Sequence, residues 1–120
     1  MDIQTIKKRR DFIKGNTARY AAMPSVVVQS YLRTDEVVKT DDSIMMGITC
    51  SKKVGNAVTR NRAKRRLREA GKIVLREIGI KKMSYIFIAR KDTTIKVKFS
   101  DLCNDIKNGI KKIYGQEDGK

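Results

Sequence analysis

The fold is decided by residues 43–90, whose sequence is SIMMGITCSKKVGNAVTRNRAKRRLREAGKIVLREIGIKKMSYIFIAR. The apolar runs at Ser43–Ser51 and Ser84–Arg90 predict two strands. Between them, the sequence predicts a long helix that starts at Gly55-Asn56 and reaches about Glu77. Because a strand–helix–strand unit joins parallel strands, we expect these two strands to pair in parallel.

The periodicity of this unit indicates which side chains face the core. Asn56 is the expected N-cap of the helix. Apolar residues recur along the helix at i, i+4, i+7 and i+11, a narrow stripe that must face the sheet. The stripe consists of Ala63, Leu67, Ala70 and Val74. The inward residues of the first strand are expected to be Ile44, Met46, Ile48 and Cys50.

Outside this unit the sequence predicts three further elements and a loop. These are a basic helix at Thr5–Lys14, a strand at Ser25–Arg33, a polar and acidic loop at Thr34–Asp42, and a final helix capped by Ser100 and ended by Gly115. The strand is expected to place Val26, Val28 and Leu32 on one face and Val27, Gln29, Tyr31 and Arg33 on the other. The stripe of the final helix is Leu102, Ile106, Ile110 and Ile113. The predicted class is α/β or α+β, with one sheet and helices packed on it.

The composition is that of one basic, folded domain. The 120 residues include 28 Lys and Arg against 13 Asp and Glu, a formal net charge of +15, while 40% of the residues are hydrophobic. The length suits a single domain over residues 1–120, with a frayed tail expected at 116–120. The sequence contains neither a signal peptide nor an apolar run of membrane-spanning length, so we expect a soluble, cytoplasmic protein.

The residue types present exclude several kinds of site. The chain has no histidine, which rules out His-based acid–base catalysis and His-ligated metals. Cys50 and Cys103 are far apart and lie within apolar patterns, as small buried residues do in a reducing compartment. The acids of Thr34–Asp42 lack the spacing of metal ligands. We therefore expect neither catalytic residues nor a metal site in this chain.

Positive charge is concentrated between Lys52 and Arg68. This segment contains eight cations and no acid, so it carries more than half of the net charge. The like charges of this segment repel one another. Nucleic-acid phosphates would neutralise them, and the release of the counterions condensed on those phosphates would favour binding. Arginine adds bidentate hydrogen bonds to phosphate. The residues that project opposite the apolar stripe are Asn61, Arg65, Arg68 and Lys72. The segment therefore indicates a nucleic-acid surface; a solvated surface helix is the alternative.

The predicted sheet favours RNA over duplex DNA as the partner. The basic helix is expected to pack on a sheet, and it lacks both helix-turn-helix spacing and zipper heptads. The second face of the sheet offers Gln29, Tyr31 and Thr49, near which Phe12 could lie. A surface of polar and aromatic groups beside cations suits an unpaired strand, whose bases stack and whose backbone follows the positive charge.

Residues 47–70, GITCSKKVGNAVTRNRAKRRLREA, closely resemble the signature of the bacterial ribonuclease P protein component. The centre of the signature is Arg60-Asn61-Arg62, followed by Lys64-Arg65 and Arg68. The resemblance extends to Asp11-Phe12, to Val27-Val28-Gln29 and to Ile88-Ala89-Arg90, so it covers nearly the whole chain. Two dozen ordered positions are a specific match, whereas the triplet alone would be weak.

The resemblance implies a function and a fold. Members of this family are the small subunit of a ribonucleoprotein that removes the 5′ leader of precursor tRNA. The catalytic RNA subunit performs the hydrolysis with magnesium ions, and the protein, one copy per RNA, supplies binding. The implied fold is a two-layer sandwich of order αβββαβα with a left-handed βαβ crossover and a short first strand near Thr17–Tyr20.

The resemblance also implies two binding surfaces. The surface for the RNA subunit would comprise Lys52, Lys53, Arg60, Asn61, Arg62, Lys64, Arg65 and Arg68. The cleft for the single-stranded leader would comprise Phe12, Val27, Gln29 and Thr49, with Lys64 and Arg68 at its border. This chain departs from many relatives in having Gln29 and Asn16 where they carry aromatic residues, which implies weaker base stacking in the leader cleft.

Two other classes of function remain as alternatives. An assembly protein on ribosomal RNA would share this size and charge, but it has no reason to repeat the ordered signature. A self-sufficient protein nuclease would need an acid–base pair or a cluster of metal-binding carboxylates. The absence of histidine and the scattered acids argue against that nuclease.

Overall fold

The computed structural model describes residues 3–6, 19–32 and 43–118, the last three of them by their backbone alone. The strands are β1 (Ile3–Thr5), β2 (Arg19–Ala22), β3 (Val26–Leu32), β4 (Ile44–Thr49) and β5 (Met83–Ala89). A 3₁₀ turn at Lys52–Val54 follows β4. The helices are α1 (Ala57–Ile78), α2 (Thr93–Lys96) and α3 (Phe99–Asp118).

The described strands form one mixed sheet in the order β1-β4-β5-β3-β2. Strand β5 lies at the centre, parallel to β4 and antiparallel to β3. The predicted parallel pairing across α1 is therefore confirmed, with Met45 opposite Ser84 and Thr49 opposite Ile88. The edge strands are β1, parallel to β4, and β2, antiparallel to β3.

The core lies between one face of this sheet and the two long helices. Helix α1 contacts β4 and β5, while α3 contacts β2 and β3. Close approach depends on glycine: a Cβ on Gly71 of α1 would lie 2.6 Å from Cε2 of Phe87. Both predicted helical stripes are buried. Their members are Ala63, Leu67, Ala70 and Val74 on α1, and Leu102, Ile106, Ile110 and Ile113 on α3.

The alternation predicted for β3 is confirmed, with one exception. In β3, Val26 and Val28 are fully buried, whereas Val27 and Gln29 are half-buried on the other face. Leu32, predicted to face inward, is 59% exposed. It is the last residue of β3 and pairs with Met83, the first residue of β5, so it lies at the end of the sheet.

The N-terminal prediction is only partly within the described residues. Thr5, placed by the sequence in a helix, belongs to β1, where it pairs with Met46. Residues 7–14 of that predicted helix, and residues 34–42 of the predicted loop, lie outside the described ranges. The short strand implied near Thr17–Tyr20 corresponds to β2, which begins at Arg19.

The C-terminal region differs from the prediction at three points. Helix α2 was not predicted; its Thr94 donates a hydrogen bond to the Ser25 carbonyl oxygen, at 2.6 Å. Helix α3 begins at Phe99, so Ser100 lies within its first turn. The helix also continues through Gly115 to Asp118, across residues predicted to fray. The handedness of the β4–α1–β5 crossover stays a prediction.

Candidate nucleic-acid interface

The basic segment begins in a tightly determined backbone. Gly55 has a φ of +154°, and a Cβ there would lie 2.8 Å from Cγ2 of Thr59. The Thr59 amide donates a hydrogen bond of 2.9 Å to Oδ1 of Asn56, which confirms Asn56 as the N-cap of α1. Glycine and the cap together set where the helix starts, and hence which way its cations project.

The residues predicted to bind the RNA subunit are all accessible. Arg60 and Lys64 are half-buried, and within the described part of the chain none of the eight predicted residues forms an ion pair. Glu77, at the far end of α1, pairs with Lys107 of α3, with 2.7 Å between Nζ and Oε1. The exposed members of the set are Lys52, Lys53, Asn61, Arg62, Arg65 and Arg68. Their charge is therefore not neutralised by the described part of the fold.

One flank of α1 faces the other helices. Arg66 donates a hydrogen bond from Nη2 to the carbonyl oxygen of Val97, just after α2, and Glu77 pairs with α3. Arg66 therefore supports the fold, by joining α1 to the segment that follows α2. Arg68 lies about 200° around the helix from Arg66, given 3.6 residues per turn. It projects away from α2 and α3, on the same flank as Lys64.

Cys50 marks where this flank meets the sheet. It follows β4 directly, and both Lys64 and Arg60 act electrostatically on its thiol. Burial raises the pKa of Cys50 above its ordinary value, while the positive charges of Lys64 and Arg60 act in the opposite direction. The carboxyl end of β4, with Thr49, therefore lies beside the cations of α1.

The predicted leader residues of β3 and β4 lie on one face of the sheet. Val27 and Thr49 each pair with Ile88 of β5, and Gln29 pairs with Ile86. Paired residues point to the same side, so Val27, Gln29 and Thr49 share the face opposite α1 and α3. We call this face the second face. It also includes Ile86 and Ile88 of β5, the strand between β3 and β4. Phe12 lies outside the described residues.

Tyr20 also belongs to the second face and was missed by sequence reasoning. It pairs with Gln29 from β2 and is 60% exposed. The residues alone did not predict β2, because a strand of four residues has too few positions to show a period. Its register against the well-predicted β3 is the only signal that places Tyr20 here.

The described residues contain neither a cluster of metal-ligating side chains nor a helix that could cross a membrane. Across residues 3–6, 19–32 and 43–118, no three His, Cys, Asp or Glu side chains come together as metal ligands. Within the same ranges, no helix is long and apolar enough to cross a membrane.

Comparisons with known proteins agree with this architecture. A family model described as Ribonuclease P matches residues 3–114. The ribonuclease P protein component of Ruegeria pomeroyi is 41% identical over 112 residues, which cover 93% of this chain and 87% of that protein. The component from Gluconacetobacter diazotrophicus is 37% identical over 108 residues, covering 89% of this chain and 88% of that protein.

Solved structures give the same result. The Staphylococcus aureus ribonuclease P protein superposes with a TM-score of 0.68 at 30% identity, covering 89% of this chain and 92% of that chain. The Thermotoga maritima protein, at 23% identity and a TM-score of 0.66, covers 88% of this chain and 93% of that chain and supports the fold. With the family model spanning nearly the whole chain, this chain belongs to the ribonuclease P protein family, the protein component of a tRNA-processing ribonuclease.

Proposed function

We propose that this chain binds the RNA subunit of ribonuclease P through the basic segment Lys52–Arg68, and the single-stranded 5′ leader of precursor tRNA across the second face. One protein binds one RNA subunit, in the cytoplasm, and the RNA subunit carries the hydrolysis. The observation that carries the proposal is the accessible charge of the seven predicted cations, none of which forms an ion pair within the described part of the chain.

Binding of the RNA subunit is supported by charge and geometry together. The exposed arginines of α1 project from one helix, so the directions in which their side chains leave the backbone are fixed before RNA arrives. Each phosphate that they neutralise releases counterions, which favours association at low salt. The planar guanidinium binds two phosphate oxygens at once, which lysine does not.

Leader binding is supported by the second face and its neighbours. Val27, Gln29 and Thr49 are half-buried there, which leaves part of each side chain open to a ligand. Lys64 acts electrostatically on Cys50, the residue that follows β4, so its charge lies near this end of the sheet, where it would attract the leader backbone. A partly open sheet face can contact the bases of an unpaired strand, and cations at its border can contact the backbone of that strand. A duplex hides its bases, so this surface fits an unpaired strand better.

The contribution of the protein to catalysis is binding energy and charge screening. Two RNA molecules repel each other, and cations placed between them reduce the magnesium concentration that their association requires. We assign the magnesium ions of the holoenzyme to the RNA, because phosphates supply the oxygen ligands that Mg²⁺ prefers and the cations of α1 would repel a divalent ion. The protein fold itself requires no cofactor.

Cleavage of a 5′-extended precursor tRNA at low magnesium tests this proposal. The three samples are protein alone, the cognate RNA subunit alone, and the two combined. We expect rapid cleavage only in the combined sample, with the RNA alone recovering at high magnesium. Cleavage by protein alone would contradict the assignment of chemistry to RNA. Absence of stimulation would instead favour an RNA assembly protein.

A further inference from the structure

An exposed aromatic ring lies at the edge of the second face. Tyr20 of β2 is 60% exposed and pairs with Gln29 of β3. We propose that Tyr20 is a base-stacking residue for the single-stranded leader, one strand beyond Val27 and Gln29. This inference rests on the proposed function, since it extends the same surface.

The sheet register places Tyr20 directly beside Gln29. On the second face, one row of paired residues crosses four strands in the order Gly47, Ile86, Gln29 and Tyr20. Gly47 and Ile86 are buried, so the accessible part of the row is Gln29 and Tyr20. Neighbouring strands lie about 4.8 Å apart, so a strand of RNA in contact with Gln29 reaches Tyr20 one strand spacing further on.

The chemistry of the row makes Tyr20 its stacking group. Gln29, the other accessible member of the row, carries no ring, and Tyr31 of the same face lies two residues further along β3, where it pairs with Ser84. A tyrosine ring offers a flat face of about the size of a base, and stacking tolerates any base because each one has a π-face. Tyr20 therefore supplies sequence-tolerant affinity for a leader long enough to reach β2.

The test uses the holoenzyme with two precursors that differ only in leader length, one of two nucleotides and one of ten. Compared with the native chain, Tyr20→Ala should weaken binding of the long-leader precursor by about tenfold, the usual effect of removing one stacked base, and leave the short-leader precursor unchanged. Tyr20→Phe keeps the ring and should bind both precursors normally. Leu32→Ala is the control, because Leu32 is equally exposed on the other face.

A fluorescent variant reports contact directly. The chain has no tryptophan, so Tyr20→Trp introduces a single indole. We expect the long leader, and not the short one, to quench its emission, and neither leader to quench Leu32→Trp. The inference is overturned if Tyr20→Ala binds both precursors normally, or if it weakens both equally. If the native holoenzyme shows no preference for the longer leader, the result contradicts the proposed leader binding as a whole, and not only the role of Tyr20.

Discussion

Val27 on β3 and Thr49 on β4 both pair with Ile88 of β5, one from each side. Two residues 22 positions apart in the sequence are thereby held about 10 Å apart on the same face, two strand spacings across the sheet. Neither pairs with the other, so their relative position depends on β5 being in register with both. The second face is therefore as rigid as the centre of the sheet.

Gln29→Glu should weaken binding of precursor tRNA to the holoenzyme. The substitution keeps the shape of the side chain and adds one negative charge near the leader phosphates. We expect a loss of about fivefold, since one unit charge near another in water contributes roughly 1 kcal/mol. Affinity should be measured for precursor tRNA and for mature tRNA, which has no leader and should bind as before.

Asn104→Asp is the matched control for this charge change, because Asn104 is exposed on α3 and belongs to neither proposed surface. It should leave both affinities unchanged. Equal losses for the two variants, or a loss with mature tRNA, would show that net charge rather than the second face causes the effect.

Arg65→Ala and Arg68→Ala should weaken assembly with the RNA subunit while preserving the fold. Each removes an exposed cation of α1, so each should reduce the slope of log affinity against log salt by about one unit. The melting temperature should change little, since alanine is a good helix former and neither arginine packs in the core. The measurement is the dissociation constant across a series of salt concentrations.

Lys112→Ala removes the same charge from an exposed site on α3 and should leave that slope near its native value. A sharp fall in melting temperature with unchanged RNA affinity would assign the two arginines to stability instead of binding.

Gly71→Ala and Gly115→Ala should change stability in opposite directions. A Cβ on Gly71 would lie 2.6 Å from Phe87, which is fully buried, so we expect a loss of about 1–2 kcal/mol from overpacking. A Cβ on Gly115 meets no described atom within 4 Å, and alanine should stabilise the helix there by about 0.5–1 kcal/mol. Urea denaturation of both variants checks the prediction. Destabilisation by Gly115→Ala would contradict a helix that continues through this position.

Cys50 should react slowly with iodoacetamide, and more slowly still when RNA is bound. Burial raises the pKa of the thiol, so at neutral pH less of it is the reactive thiolate than for a free cysteine, and the rate should rise with pH. Phosphates beside Lys64 and Arg60 would cancel the charges that favour the thiolate and would also block access. Alkylation should be followed by mass spectrometry in a Cys103→Ala background, which leaves one thiol. An unchanged rate on adding the RNA subunit would place the RNA away from this end of β4.

The long periodic elements could be predicted from the sequence because burial enforces their period. Helix α1 packs Ala63 and Leu67 against the sheet, and Asn56 caps its first turn. The predicted apolar stripe and the predicted start of the helix were therefore both correct. Strand β3 alternates between buried and half-buried residues, whereas the central strand β5 is buried on both faces from Ser84 to Phe87; the bounds of β3, β4 and β5 shift by one or two residues from those predicted.

The short elements depend on contacts that no local pattern contains. Thr5 is in a strand because β1 pairs with β4, which follows almost forty residues later. Gly115 does not end α3, because the buried Ile113 in the preceding turn favours a helix and outweighs the modest cost of one glycine. The prediction that Leu32 faces the core was wrong, because the alternation of apolar residues does not show where the sheet ends.

The candidate site divides in the same way. The charged half lies on one continuous segment, so its residues could be identified without knowledge of the fold. The second face is assembled from four strands, and only the register placed Tyr20 beside Gln29. Phe12, outside the described residues, stays a prediction.

The central position of β5 has a consequence for biosynthesis. It is the last strand to be translated, yet both β3 and β4 form their sheet partnerships with it. Until residue 89 has left the ribosome, a nascent chain lacks the strand that joins β3 to β4, and the β2–β3 hairpin, the β1–β4 pair and the charged helix have no complete sheet to support them. Such non-local pairing is intrinsically slow, so this chain completes its tertiary structure late in translation, after its most basic segment has already emerged among the RNAs of the cell.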